Sequence, residues 1–145
     1  MGVVNENLVL REFYTTSATG LYTLIAQRAY AWRIPNDVDN TDALIVFRAQ
    51  PGGTLVQGVI RDLDIEIVCY GGGSDLKKQE QASDDVYRAF CDIHAQASGE
   101  YKSMITTYSG VIMNCEEVST GALVPGDGDN WPAVQTVWRY QIRNK

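Results

Sequence analysis

The sequence is short of histidine, cysteine and clustered positive charge. Its single histidine, His94, removes most histidine-based catalysis and metal binding. The cysteines, Cys69, Cys91 and Cys115, are odd in number and widely spaced, so they fit no zinc pattern and cannot all pair within one chain. They lie in apolar periodic segments, as small buried hydrophobes do, and reduced thiols in a cytosolic assembly environment are expected. The 12 lysines and arginines are scattered, and the only adjacent pair is Lys77-Lys78. Nucleic-acid binders need clustered cations to meet phosphates, which argues against generic nucleic-acid binding. No run approaches the roughly 20 apolar residues of a membrane helix, so no membrane partner is expected. The opening Met1-Gly2-Val3-Val4-Asn5 has no basic region ahead of an apolar stretch, and no secretory leader is expected.

What is present is globular. The 145 residues are 45% hydrophobic and 21% charged, which excludes global disorder and fits one domain over 1–145. Eighteen acids against 12 bases leave a net charge of −6.

The patterning gives an order of elements. A first helix is predicted over about Asn5 to Tyr14, with Asn5 or Asn7 as cap and Leu8, Val9 and Phe13 as its apolar stripe. The short run Leu21 to Ala26 reads as a second helical turn or two. Arg28 to Pro35 reads as a short extended segment, because Pro35 holds Ile34 in extended geometry. The stretch Asn36 to Asp42 reads as a solvated acidic loop; it lacks the Gly and distal Glu of a calcium loop. Ala43-Leu44-Ile45-Val46-Phe47 reads as a strand buried on both faces. In Asp62-Leu63-Asp64-Ile65-Glu66-Ile67-Val68-Cys69 polar and apolar residues alternate, so Leu63, Ile65, Ile67 and Cys69 share an inner face.

Gly71-Gly72-Gly73-Ser74 ends that strand and opens a long helix, predicted over about 74–97, with Ser74 as cap and Asp75 favouring its dipole. Leu76, Ser83, Val86, Phe90, Ile93 and Ala97 form its stripe, and Gly99 is a natural stop. Tyr101 to Val118 reads as two short strands, or one strand bent at Gly110. Thr120 to Asn130 reads as an exposed loop. A final strand over about Ala133 to Arg143 places Val134, Thr136, Trp138, Tyr140 and Ile142 on one face. The fold class implied is α+β: a mostly antiparallel sheet packed by one long helix, plus an N-terminal helix.

Little in this pattern carries chemistry. The Gly71–Ser74 turn before a helix resembles an anion cradle, but the spacing fits neither a P-loop nor a dinucleotide fingerprint. Asp62, Asp64 and Glu66 place three carboxylates on one strand face. A metal-dependent hydrolase is the enzymatic reading of that triplet, and pairing with Arg48 or Arg139 is the plainer one. His94, beside the stripe of the long helix, reads as a core or boundary residue. Trp138 reads as core, and Trp131, at a loop edge, as an interface residue. No pattern requires a cofactor or a resident metal.

The order of segments carries a resemblance. A helix leads to Leu21-Tyr22-Thr23-Leu24-Ile25 and Arg28-Ala29-Tyr30. Ile34-Pro35, an acidic loop and Leu44-Ile45-Val46-Phe47 follow. Then come Asp64-Ile65-Glu66-Ile67-Val68-Cys69-Tyr70-Gly71, a helix with Ala82, Val86 and Phe90, and finally Val137-Trp138-Arg139-Tyr140-Gln141-Ile142. Over nearly its whole length this resembles the tail-completion, or tail-terminator, proteins of long-tailed phages. The resemblance implies a non-enzymatic virion protein of the tail or neck, assembled in the host cytoplasm. It implies a ring, often hexameric, capping the tail tube and joining it to the head connector while DNA passes through the lumen. The partners implied are further copies of the chain, a tail tube protein and a neck protein; a tube or neck subunit is the neighbouring reading. On that basis the acids expected to face a lumen are Asp37, Asp39, Asp42, Asp62, Asp64 and Glu66. The expected assembly contacts are Pro125, Asp127, Asp129 and Trp131.

Overall fold

The computed structural model describes residues 5–39, 41–50, 54–56, 60–98, 104–124 and 131–145. Helix α1 (Glu6–Tyr14) starts where Asn5 accepts a hydrogen bond from the Leu8 amide at 3.2 Å, satisfying one of the free N–H groups of the first turn. It buries Val9, Leu10, Phe13 and Tyr14. Helix α2 (Gly20–Ile25) is capped in the same way by Thr19 and ends at Ala26, whose φ of 52° breaks the helical backbone.

Among the described residues seven strands follow: β1 (Ala29–Ala31), β2 (Leu44–Ala49), β3 (Thr54–Val56), β4 (Ile60–Tyr70), β5 (Ile105–Thr106), β6 (Gly110–Val124) and β7 (Ala133–Asn144). The long helix α3 (Leu76–Ser98) stands between β4 and β5 and spans about 34 Å at the helical rise. Its cap is Asp75, which accepts from the Lys78 amide at 2.9 Å, so the helix starts one residue later than a Ser74 cap would place it.

The sheet order is β1-β2-β4-β7-β6-β5, with β3 pairing β4 beyond the end of β2. This corrects the expectation of an α+β fold built on a mostly antiparallel sheet. The sheet is mixed and curls into a half-barrel, strands make up 42% of the described residues, and β1 lies parallel to β2. The reason lies in residues 32–43. Parallel neighbours cannot be joined by a tight hairpin and need a crossover of a dozen or so residues. The acidic stretch is that crossover. It is not wholly solvated, because Ile34 and Val38 pack on the outer face of the sheet.

The sheet therefore has two apolar faces. The inner one packs under all three helices, with Ile45, Phe47, Leu63, Ile65, Ile67, Cys69, Trp138 and Tyr140 meeting Phe13, Tyr14, Val86 and Phe90. The outer one carries a smaller cluster at one end: Leu44, Val46, Val68, Tyr70, Trp131 and Ala133. The residues that alternate in β4 and β7 take the faces their pattern gave them. In the last third, Gly110 opens β6 after a tight turn closed by the Thr107 amide on the Gly110 carbonyl. Strand β6 then runs on to Val124, through residues 120–124 that read as loop, with register shifts at 112/114, 117/119 and 119/122. Pro51-Gly52-Gly53 and Gly99 lie outside the described residues.

Candidate functional surface

The outer face of the sheet divides along its strands. Next to the apolar end lies a charged end, built by three successive outward positions of β4: Asp62, Asp64 and Glu66. Antiparallel register sets Glu66 opposite Arg48 of β2, Asp64 opposite Arg139 of β7, and Arg139 opposite Glu116 of β6. The side chains close these pairings. Arg48 donates to Glu66 at 2.9 Å and Arg139 to Asp64 at 2.9 Å, and Glu116 lies 3.8 Å from Arg139. The hydrogen bond to Asp64 and its charge hold the Arg139 guanidinium more firmly protonated than usual. Each pair is part-exposed, so each contributes at most about 1 kcal/mol. Asp62 sits beside them opposite Gln141, without an ion pair among the described residues. The carboxylates of Asp64 and Glu66 thus meet arginines, and among the described residues no three His, Cys, Asp or Glu side chains are placed to hold a metal ion.

The loop acids are elsewhere. Asp37, Asp39 and Asp42 are exposed in the crossover that leads to Leu44, which is opposite Tyr70. Glu66 is four residues up β4 from Tyr70, roughly 13 Å by the strand rise. The two sets of acids therefore occupy different parts of the surface. Asp39 accepts from the Thr41 hydroxyl and, at 2.9 Å, from the Thr41 amide, and these bonds lower its pKa.

Trp131 packs inside this chain. It is 8% exposed, its ring lies 4.7 Å from that of Tyr70, and its indole N–H donates to the Gly71 carbonyl at 3.2 Å. Pro125, Asp127 and Asp129 lie outside the described residues.

His94 is in the core, 2% exposed and stacked 4.1 Å from Trp138. Its Nδ1 lies 2.7 Å from the Phe90 carbonyl, which can only accept, so Nδ1 carries the proton. Nε2 then accepts from the Tyr140 hydroxyl at 2.7 Å, and that oxygen accepts from Tyr14 at 2.8 Å. Burial lowers the pKa of His94 to about 4 and raises both tyrosines. The chain of three is a satisfied core network joining α1, α3 and β7.

No protein-family model matches the chain, and no curated protein matches it. Solved structures do match. One is a chain of a virion of native gene transfer agent particle, similar over 94% of this chain and 93% of that chain, with a TM-score of 0.52 and 10% identity. At that identity the likeness is one of fold.

Two surface features left no mark in the sequence pattern. One is a cleft between α1 and β1; the other is the outer edge of β6, which β5 covers only at Val111 and Ile112. Both depend on which strands end the sheet. The residues themselves give one signal: Leu123 is apolar in a stretch that reads as loop.

Proposed function

We propose that the chain is a structural subunit of a phage-like virion, and that it forms the terminator ring which caps the tail tube and joins it to the neck. The observation that carries the virion part of this reading is the fold likeness to a virion chain over nearly the full length of both. The order of segments, which resembles the tail-completion proteins, supports it independently. In this reading the chain acts by shape and association and performs no catalysis. Its partners are further copies of itself, hexameric in the usual arrangement of such rings, with a tail tube protein below and a neck protein above.

The acidic balance then has a use. Carboxylates facing a lumen repel passing DNA, with the repulsion screened beyond about 8–10 Å at physiological salt. Asp64 and Glu66 are each neutralised by an arginine, whereas Asp37, Asp39 and Asp42 are exposed without an ion pair among the described residues. In this reading Asp62, which likewise has no ion pair among the described residues, and the three loop acids are the ones that face the lumen. Replacing the three loop acids with lysine should convert an inert ring into one that retains DNA at low salt.

The virion role is tested by quantitative mass spectrometry of purified particles from the producing cells. A terminator is expected at one ring's worth of copies per particle. A copy number matching the main tube protein would make it a tube subunit, and absence from particles would overturn the proposal.

A further inference from the structure

The curled sheet has two ends, and they differ in chemistry. At the first, β1 is the terminal strand and α1 stands over it, leaving a cleft of about 600 Å³. Ala29 and Ala31 line the strand side and Leu8, 44% exposed, lines the helix side. Arg11 and Arg33 also line it; both are exposed, and neither has an ion pair among the described residues. Two unpaired cations around an apolar groove fit an apolar side chain flanked by a carboxylate.

The second end is the outer half of β6. Beyond Val111 and Ile112 its outer edge has no strand beside it among the described residues. An open edge is a ready association surface. Val118 and Leu123 are about half exposed there, at 48% and 54%. From Met104 to Val124 the chain carries Glu116 and Glu117 and no lysine or arginine. Glu117 is engaged by Tyr87 and Thr136; Glu116 is 60% exposed and only loosely paired, at 3.8 Å, with Arg139, which Asp64 already holds at 2.9 Å. An acidic edge with protruding apolar side chains thus sits at the opposite end of the sheet from a basic cleft with an apolar lining.

Joining one end to the other end of the next copy is a heterologous contact, the kind that closes into rings when the rotation permits. We propose that β6 of one copy docks across the α1–β1 cleft of the next, with Val118 seated beside Leu8 and Glu116 facing Arg11 and Arg33. The inference rests on the ring reading above and gives it a direction: every subunit presents its β6 edge and receives its neighbour in its cleft. Side chains carry the contact. Strand β1 does not extend the ladder across it, because Ala29 is fully buried and its N–H bonds to the Gln27 carbonyl.

The test is charge exchange, read as the mass of the full chain against concentration by analytical ultracentrifugation. The cleft variant Arg11→Glu/Arg33→Glu and the edge variant Glu116→Arg are each expected to weaken association at least tenfold. Combining all three substitutions in one chain restores opposite charges across every contact and is expected to recover association. If rings form and none of the variants changes them, the contact is overturned and the ring reading stands. If open fibres form and respond to the exchange, the contact stands and the ring reading falls. A wild-type chain that stays monomeric at all concentrations overturns both. Should the variants fail to fold, hydrogen exchange on the wild-type chain decides: amides of 116–123 and of α1 around Leu8 slow on association, and equal exchange in both states overturns the contact.

Discussion

His94 is the residue whose burial has the clearest consequence in solution. Its pKa is about 4 in the folded chain, against 6.5 for the free side chain. The unfolded chain therefore binds a proton that the folded chain refuses between those values. The stabilising contribution is complete above about pH 6.5 and is lost as pH falls toward 4, on the order of 3 kcal/mol in total. Denaturant melts at pH 7 and pH 4.5 should show this loss. His94→Gln should show a smaller loss over the same interval, beyond what the carboxylates contribute to both. A wild-type stability independent of pH in this window would contradict the burial of His94 as a neutral ring. Tyr140→Phe removes the donor to Nε2 and the acceptor for Tyr14 together, and is expected to cost about 2–3 kcal/mol in a thermal or urea melt.

Gly71 is the other residue where the structure is specific. The sequence reads the three glycines as a flexible turn. In the fold, a Cβ on Gly71 would lie 2.1 Å from the backbone carbon of Ala82 and 2.2 Å from the Ser83 nitrogen, so α3 packs directly on that backbone. The contact is backbone against backbone and cannot yield by a rotamer change. Gly71→Ala should therefore destabilise by about 3 kcal/mol, at the upper end for overpacking, measured by urea unfolding. A cost under 1 kcal/mol would mean that the strand and helix part easily there.

At the scale of elements, the cap of α3 separates two adjacent candidates. Asp75 accepts from the Lys78 amide, whereas Ser74 meets only the flexible Lys78 ammonium at 3.4 Å. Asp75→Ala should cost about 1 kcal/mol and Ser74→Ala a few tenths. The same element shows why some parts of the fold were legible. The face of α3 bearing Ser83, Val86, Phe90 and Ile93 is buried along its length, so its period survives in the sequence. Strands β4 and β7 are legible for the same reason, and so are Arg48 and Arg139 as the partners of their acids, since opposite charges on one face of a sheet find each other.

Strand β6 was legible only as far as Val118. Three register shifts interrupt its two-residue period, and most of its residues after Ile112 are exposed, so burial imposes no alternation. Gly121 illustrates the point. It reads as a loop glycine, yet it sits in the strand, its amide donating to the Tyr87 hydroxyl and its Cα under the Tyr87 ring. The parallel β1–β2 pair was illegible for another reason. Three residues of β1 carry no sign of which neighbour they choose, and the acidic crossover hides its two partly buried apolar residues, Ile34 and Val38, among polar ones. The cleft and the open β6 edge are properties of sheet order, and no local pattern encodes sheet order.

At the scale of the molecule, a net charge of −6 on 145 residues keeps separate copies apart at low salt and leaves local complementarity to decide how they join. The open sheet edge and the basic cleft lie at opposite ends of one sheet, and the likeness to a virion chain spans the whole subunit rather than one motif. No helix among the described residues is long and apolar enough to cross a membrane. These features fit the repeated subunit proposed above. The central claim, a single closed terminator ring, is tested most directly by negative-stain electron microscopy of the purified chain at concentrations where it associates. Discrete rings of one diameter and one layer are expected. Long stacked tubes, or particles no larger than the monomer, would contradict it.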